Sequence, residues 1–211
     1  MLVAQQTAYY LLEIGAVKLS PLQPFTWASG WKSPIYCDNR LTLSYPLIRT
    51  YIKERLASLI KARFPEVEAI AGVATAGIPQ ASLIADYLQL PMLYVRSKPK
   101  NHGLENLVEG KITPRQKVVV VEDLISTGGS SLNAVLALRS EGFDVLGLTA
   151  IFTYGFSKAR EAFDKERLTV STLTDYNVLL EVAQKQGIIN EIQLAMLEEW
   201  RKNPEIWGKE S

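Results

Sequence analysis

Hydrophobic positions along this chain alternate between two patterns, one typical of buried strands and one typical of amphipathic helices. Short apolar runs predict strands at residues 69–73, 92–96, 118–121, 145–152 and 168–173. Apolar residues spaced three or four apart predict helices at residues 3–14 and at about 79–88, 130–141 and 157–165. A further long helix is predicted to begin at a cap on Ser44 and to end at Phe64. Two more helices are expected after residue 173. Strands that alternate with helices favour right-handed crossovers and a parallel sheet.

This order predicts an α/β fold in which a parallel sheet is flanked by helices. The 211 residues, of which 47% are hydrophobic, are enough for one well-buried domain spanning residues 1–211. Residues 19–44 are rich in proline, tryptophan and serine, and their only strand-like stretch is at 35–38. Residues 1–44 are therefore expected to form a small cap, or hood, over the ligand-binding edge of the sheet.

The overall charge limits the binding partners that this protein is expected to have, and the cysteine content indicates its cellular compartment. A net charge of +1 argues against nucleic acid as a main partner. The single cysteine, Cys37, excludes an internal disulfide framework and fits a reducing compartment. The first residues lack the basic region of a signal peptide, and no apolar run approaches ~18 residues. A soluble, cytoplasmic protein without a membrane segment is expected.

The most informative stretch is the valine run at 118–121 together with the residues that follow it. Glu122 and Asp123 are expected where this buried strand ends, the edge at which α/β sheets bind ligands. Residues 126–130 can wrap backbone N–H groups around an anion at a helix N-terminus. Such turns also occur in α/β proteins that bind nothing, but a phosphate site beside two carboxylates suggests a phosphorylated sugar. Neither a Walker-type lysine nor a G-x-G-x-x-G sequence is present.

The same stretch resembles the phosphoribosyl pyrophosphate (PRPP) motif of the type I phosphoribosyltransferases. In that family the two acids hold the ribose 2′ and 3′ hydroxyls, and the loop backbone holds the 5′-phosphate. The resemblance implies PRPP binding by the following residues: Glu122, Asp123, Leu124, Ile125, Ser126, Thr127, Gly128, Gly129 and Ser130. It does not identify the base that accepts the ribosyl group.

A basic segment between residues 96 and 117 carries six Lys or Arg against two acids. It could be a solvated loop, yet loops of this length in compact domains are usually functional or disordered. Its cations suit departing pyrophosphate, whose negative charge grows during the reaction. The order Arg96, Lys100, His102, Gly103 resembles the catalytic loop of the orotate phosphoribosyltransferases. That resemblance implies a homodimer in which loop 97–112 acts in trans, Arg96 contacts pyrophosphate, and Lys100 and His102 join Asp123 as catalytic residues.

Two more segments are similar to that family. Residues 25–40 match an element that covers the orotate pocket, and residues 71–79 match a pyrophosphate loop containing Thr75, Ala76 and Gly77. Lysines common in the family are replaced here by Ala28 and Ala76, and a basic orotate contact falls at Tyr154. Lys32 and Arg40 are candidate replacements that would bind the orotate carboxylate, and Ser126 is a further candidate orotate contact.

The implied reaction is the Mg²⁺-dependent transfer of ribose 5-phosphate from PRPP to orotate, which yields orotidine 5′-monophosphate and pyrophosphate. Mg²⁺ would be held mainly by substrate and water oxygens, without a dedicated protein metal site. Two alternatives remain open from the sequence. One is a phosphoribosyltransferase for a purine base, and the other is a non-catalytic, PRPP-sensing regulator of transcription or RNA.

Overall fold

A computed structural model describes residues 2–27, 30–98 and 107–208. The helices are α1 (Val3–Glu13), α2 (Pro46–Arg63), α3 (Gly77–Leu88), α4 (Gly129–Ser140), α5 (Ser157–Lys165), α6 (Tyr176–Lys185) and α7 (Glu191–Lys202), and a 3₁₀ helix spans Asn39–Ser44. The strands are β1 (Val17–Leu19), β2 (Phe25–Thr26), β3 (Lys32–Ser33), β4 (Ile35–Cys37), β5 (Ala69–Val73), β6 (Met92–Val95), β7 (Val108–Glu109), β8 (Lys117–Ile125), β9 (Asp144–Thr153) and β10 (Val170–Asp175).

Within the described residues, one sheet with the order β10-β9-β8-β5-β6-β7 forms the centre of the fold. Its neighbouring strands are parallel except β7, which runs antiparallel to β6. Helices α4 and α5 pack on one face, and α1, α2, α3 and α6 pack on the other. The predicted α/β fold, a mainly parallel sheet flanked by helices, is confirmed.

The valine run of β8 shows why this sheet needs helices on both faces. Val119 and Val121 belong to one hydrophobic core, Val118 and Val120 belong to the other, and all four are fully buried. Successive side chains of a strand point to opposite faces, so an unbroken apolar run supplies both cores at once. Each buried valine contributes roughly 1.5–3 kcal/mol relative to an exposed one.

The start of α2 and the segment after β6 differ from the sequence prediction. Helix α2 starts at Pro46 after Tyr45, so Ser44 is not its cap; proline at the first helical position has the required φ and needs no N–H partner. The strand β7 lies in a segment expected to be loop, where only two residues pair with β6. Short pairings of this kind leave no periodic signal in the sequence.

The N-terminal segment makes two small antiparallel pairs, β1 with β4 and β2 with β3. Helix α1 packs against α6 and β10 and contributes Ala8 and Leu11 to the core. The division that makes residues 1–44 a separate cap stays a prediction. The β2–β3 pair is tied to the far end of the chain, because Trp200 of α7 donates a hydrogen bond from Nε1 to the Lys32 carbonyl at 3.2 Å.

Candidate active site

The adjacent carboxylates Glu122 and Asp123 lie inside β8 and not after it. The strand continues to Ile125 because its backbone still pairs with β9, for example Leu124 with Phe152. The prediction that the strand ends at the acid pair is therefore wrong, since backbone pairing extends beyond the hydrophobic run. On the other side, β5 stops pairing at Gly72 opposite Val121. The acids thus lie just beyond the end of a neighbouring parallel strand, at the carboxyl edge of the sheet.

Glu122 is held in a nearly closed environment. It is 5% exposed, its Oε1 accepts the backbone N–H of Asp123 at 3.1 Å, and its Oε2 lies 3.5 Å from Ser131 Oγ. Burial raises the pKa of Glu122 to about 9, and the charge of Asp123 adds to this rise. The side chain is therefore protonated at neutral pH and can donate a hydrogen bond to a ligand oxygen.

Asp123, the second carboxyl group of the pair, is subject to opposing effects on its pKa. Burial raises its pKa too, but hydrogen bonding from Glu122 and the positive charge of Arg40 act in the opposite direction. The two adjacent carboxyl groups titrate together, and their burial favours a proton that is retained by the pair. A protonated donor next to a carboxylate acceptor can bind two neighbouring hydroxyl groups, as found on a ribose ring.

Asn39, which the sequence reasoning passed over, supports the acid pair from the N-terminal segment. It is fully buried, and its Nδ2 donates to the backbone carbonyl of Asp123 at 2.7 Å. Its Oδ1 accepts the Cys37 thiol at 3.3 Å, and burial raises the pKa of that thiol well above its usual range. Cys37 is consequently a packed neutral thiol. No sequence signal links Asn39 to Asp123, since 84 positions separate them.

The loop at residues 126–130 joins β8 to α4 and has the geometry expected of an anion site. Gly128 has φ +80°, a left-handed conformation, and α4 begins at the next residue. A Cβ on Gly128 would lie 2.7 Å from Phe163 Cζ, so only glycine fits. Ser126 and Thr127 are half-buried, while Gly129 and Ser130 are exposed. The first N–H groups of α4 and its positive end lie at this loop.

The loop containing Thr75, Ala76 and Gly77 joins β5 to α3 at the same edge. Helix α3 begins at Gly77, two residues before the expected start, and the Ala74–Thr75 peptide bond is cis. A Cβ on Gly77 would come within 2.5 Å of the Val121 carbonyl and 3.4 Å of Glu122 Oε1. The absence of a side chain lets this loop approach the acid pair, so the two predicted loops lie side by side.

Arg96 directly follows β6, on the other side of β5. Its backbone N–H donates to the Leu107 carbonyl at 2.9 Å, and its Nη1 lies 3.5 Å from Glu109 Oε1. These contacts, with the β6–β7 pairing, join the two ends of the basic loop. Lys100 and His102 lie outside the described residues, and their roles stay predictions.

The two cations predicted to bind the orotate carboxylate are engaged elsewhere. Arg40 forms a two-pronged pair with Asp38, with Nε to Oδ1 at 2.7 Å and Nη2 to Oδ2 at 2.9 Å. Lys32 donates from Nζ to Thr26 Oγ1 at 2.9 Å. Both side chains have local partners, and Ser126 lies in the loop at residues 126–130; the orotate-binding roles of all three stay predictions.

In the described part of the chain, no three His, Cys, Asp or Glu side chains come together as a metal-binding group. No helix formed by the described residues has the length and apolar content needed to cross a membrane.

The comparisons with known proteins agree with this geometry. Residues 42–180 match the phosphoribosyl transferase domain. The chain is 58% identical to the orotate phosphoribosyltransferase of Bacteroides thetaiotaomicron over 93% of both proteins, and 56% identical to that of Listeria innocua over 99% of this chain and 100% of the relative. The chain belongs to the orotate phosphoribosyltransferase family. The orotate phosphoribosyltransferase structure from Aeropyrum pernix superposes with a TM-score of 0.75 at 29% identity, covering 87% of this chain and 99% of the other.

The matches to the domain and to the orotate phosphoribosyltransferase family cover different parts of the chain. The phosphoribosyl transferase domain starts in the 3₁₀ helix and ends in α6, so it contains the acid pair and both loops. The β2–β3 pair and α7 lie outside it, yet the family relatives align over nearly the whole chain. The residues predicted to bind PRPP therefore lie within the shared domain.

Proposed function

We propose that this protein transfers ribose 5-phosphate from PRPP to orotate, giving orotidine 5′-monophosphate and pyrophosphate in pyrimidine synthesis. The observation that carries the proposal is the acid pair of β8 beside a glycine-containing anion loop, within a chain whose near-full-length relatives are orotate phosphoribosyltransferases. The acid pair, whose burial favours a retained proton, suits two ribose hydroxyls, and the N-terminus of α4 suits the 5′-phosphate.

Catalysis in this proposal depends on positioning and on charge stabilisation more than on covalent chemistry. Asp123 and Glu122 orient the ribose, the loop at 126–130 fixes the phosphate, and Thr75, Ala76 and Gly77 offer backbone groups to pyrophosphate. Arg96 reaches the same edge from β6 and would contact the leaving pyrophosphate. Orotate is already an anion, so no strong base is needed.

We include Mg²⁺ as the cofactor. Mg²⁺ usually takes most of its ligands from water and substrate phosphates, and the acid pair lies beside the loops proposed to hold those phosphates. When bound, the ion would neutralise charge on pyrophosphate oxygens. The chain's own contribution is the acid pair, which holds the ribose hydroxyls near that ion.

A homodimer in which loop 97–112 acts in trans is part of the proposal. Three apolar side chains between the 3₁₀ helix and the first turn of α2 are exposed: Leu41, Tyr45 and Leu47, by 37%, 44% and 88%. Such a surface is typical of an interface. His102→Ala and Asp123→Asn, each inactive alone, should regain partial activity when mixed. Failure to recover activity, with subunit exchange demonstrated by mass spectrometry, would argue against trans action.

The central experiment follows the ultraviolet absorbance of orotate with purified protein, PRPP and Mg²⁺. Orotate should be consumed, and omission of Mg²⁺ or replacement of orotate by uracil, hypoxanthine or adenine should abolish turnover. Turnover with a purine would favour the purine enzyme, and PRPP binding without turnover of any base would favour the regulator. A cytoplasmic location is also proposed, on the basis of the single reduced cysteine, and cell fractionation tests it.

A further inference from the structure

An open pocket of about 270 Å³ lies between the phosphate loop and the C-terminal end of α7. Thr127 of the phosphate loop forms part of its lining, and Trp31 and Phe156 contribute aromatic surface. It is therefore adjacent to the place where the donor sugar is proposed to bind. A planar ring fits between aromatic walls, and the nature of the polar lining decides which substituents are accepted.

Three cationic residues line this pocket: Lys158, Arg201 and Lys202. Lys158 lies 3.6 Å from Glu205, and Lys202 lies 3.3 Å from Glu199. Arg201 has no carboxylate partner among the described residues; its guanidinium stacks 5.7 Å from the ring centre of Tyr176. Because stacking occupies only the face of the guanidinium, its N–H edge stays available for an anion.

The position of Arg201 is fixed by its neighbour in α7. Trp200 is fully buried against the aromatic rings of Trp27, Tyr154 and Phe156, with ring centres 5.5–5.8 Å away. This contact places the end of α7 at the carboxyl end of β9. Nη1 of Arg201 lies 3.6 Å from the position that a Cβ on Gly155 would occupy, directly after Tyr154.

We infer that Arg201 is the residue that binds the carboxylate of the acceptor base and so determines specificity for orotate. The inference rests on the proposed function. Arg201 combines a half-buried guanidinium that lacks an acidic partner, aromatic walls suited to a pyrimidine ring and contact with the phosphate-loop pocket. Neither Lys32 nor Arg40 lines this pocket; Arg40 is paired with Asp38, and Lys32 donates to the Thr26 hydroxyl.

A matched pair of ligands tests this assignment, because orotidine and uridine 5′-monophosphate differ only in the base carboxylate. Isothermal titration should show that the unmodified protein prefers the orotidine nucleotide by about tenfold to a hundredfold, the range of a charged hydrogen bond. Arg201→Gln should reduce that preference to within about threefold. Arg201→Lys should restore part of it, since charge remains but the fork geometry is lost. The KM for orotate should rise, while the KM for PRPP stays within about twofold.

Arg63→Gln is the matched control, since Arg63 is exposed in the last turn of α2. Unchanged PRPP binding with Mg²⁺ shows that each variant is folded. An intact preference in Arg201→Gln, or loss of it in Lys32→Gln or Arg40→Gln instead, would overturn the inference and leave the reaction standing. If the unmodified protein neither consumes orotate nor binds its nucleotide, the proposed function itself fails, and the inference fails with it.

Discussion

Replacing Asn39 with alanine should weaken both the fold and the donor-sugar site. Asn39 is fully buried and connects the segment after β4 to the backbone of Asp123. Pairing between β5 and β8 ends at Val121, and Asn39 supplies a hydrogen bond two residues beyond that point. The Thr42 hydroxyl in turn donates to the Asn39 carbonyl at 2.6 Å, and Gln80 Nε2 donates to Thr42 Oγ1 at 3.3 Å.

The size of the effect follows from what the alanine leaves behind. The Asp123 carbonyl loses a buried donor and the Cys37 thiol loses its acceptor, which costs about 1–3 kcal/mol. The void left by the missing amide adds about 1 kcal/mol. The free energy of unfolding should therefore fall by about 2–4 kcal/mol, equivalent to roughly 4–16 °C in melting temperature for a chain of this size. Looser placement of Asp123 should also raise the KM for PRPP.

Urea denaturation monitored by tryptophan fluorescence gives the free energy, and initial rates at varied PRPP give the KM. Asn177→Ala is the matched control, since Asn177 is exposed on α6 and should change the free energy by less than about 0.5 kcal/mol. If Asn39→Ala is as stable as that control and its KM for PRPP is unchanged, the argument that Asn39 positions the acid pair is refuted.

Three further predictions concern the same site. The folded pKa of Glu122 is about 9 against an ordinary 4.5, so the folded state retains a proton that the unfolded state loses. The free energy of unfolding should fall as the pH rises from about 4.5 to about 9, and Glu122→Gln should weaken this pH dependence. Urea titrations at several pH values that give the same pH dependence for both proteins would contradict the prediction. Gly128→Ala should lose about 1–3 kcal/mol and weaken PRPP binding, whereas Gly129→Ala, with nothing within 4 Å of its Cβ, should be tolerated in thermal melts and PRPP titrations. PRPP should raise the melting temperature only with Mg²⁺, and a shift that survives EDTA would count against the cofactor.

The alternation of strands and helices was predictable because each element carries a clear hydrophobic period. Residues 69–73 and 157–165 have the predicted bounds, as β5 and α5. The end of β8 was not predictable, because Glu122 and Asp123 interrupt the apolar pattern while β9 continues to pair with the strand. Hydrophobicity reports burial, and a polar residue can stay in a strand when its backbone partner is present.

The loops of the donor site were predictable for a topological reason. Parallel strands place their carboxyl ends at one edge, so loops that follow β5 and β8 meet once those strands are neighbours. The glycines at positions 77 and 128 mark these two loops in the sequence, because a side chain at either position would collide with a neighbouring element. The protonation of Glu122 was not predictable, because it depends on burial and on Asp123 in the folded protein.

The acceptor side is harder to predict because distant parts of the chain form it. The Trp200–Lys32 hydrogen bond joins residues 168 positions apart. The place of Arg201 in the fold depends on this contact, which the sequence alone does not reveal. Neither α7 nor the β2–β3 pair contributes a strand to the central sheet, but Trp200 of α7 is fully buried in the core against Tyr154. In the proposed assignment, the acceptor pocket combines residues of these peripheral elements with Thr127 and Phe156 at the edge of the sheet. The proposed donor site lies wholly at the edge of the sheet, where Gly77, Gly128 and the acid pair come together because neighbouring parallel strands end there.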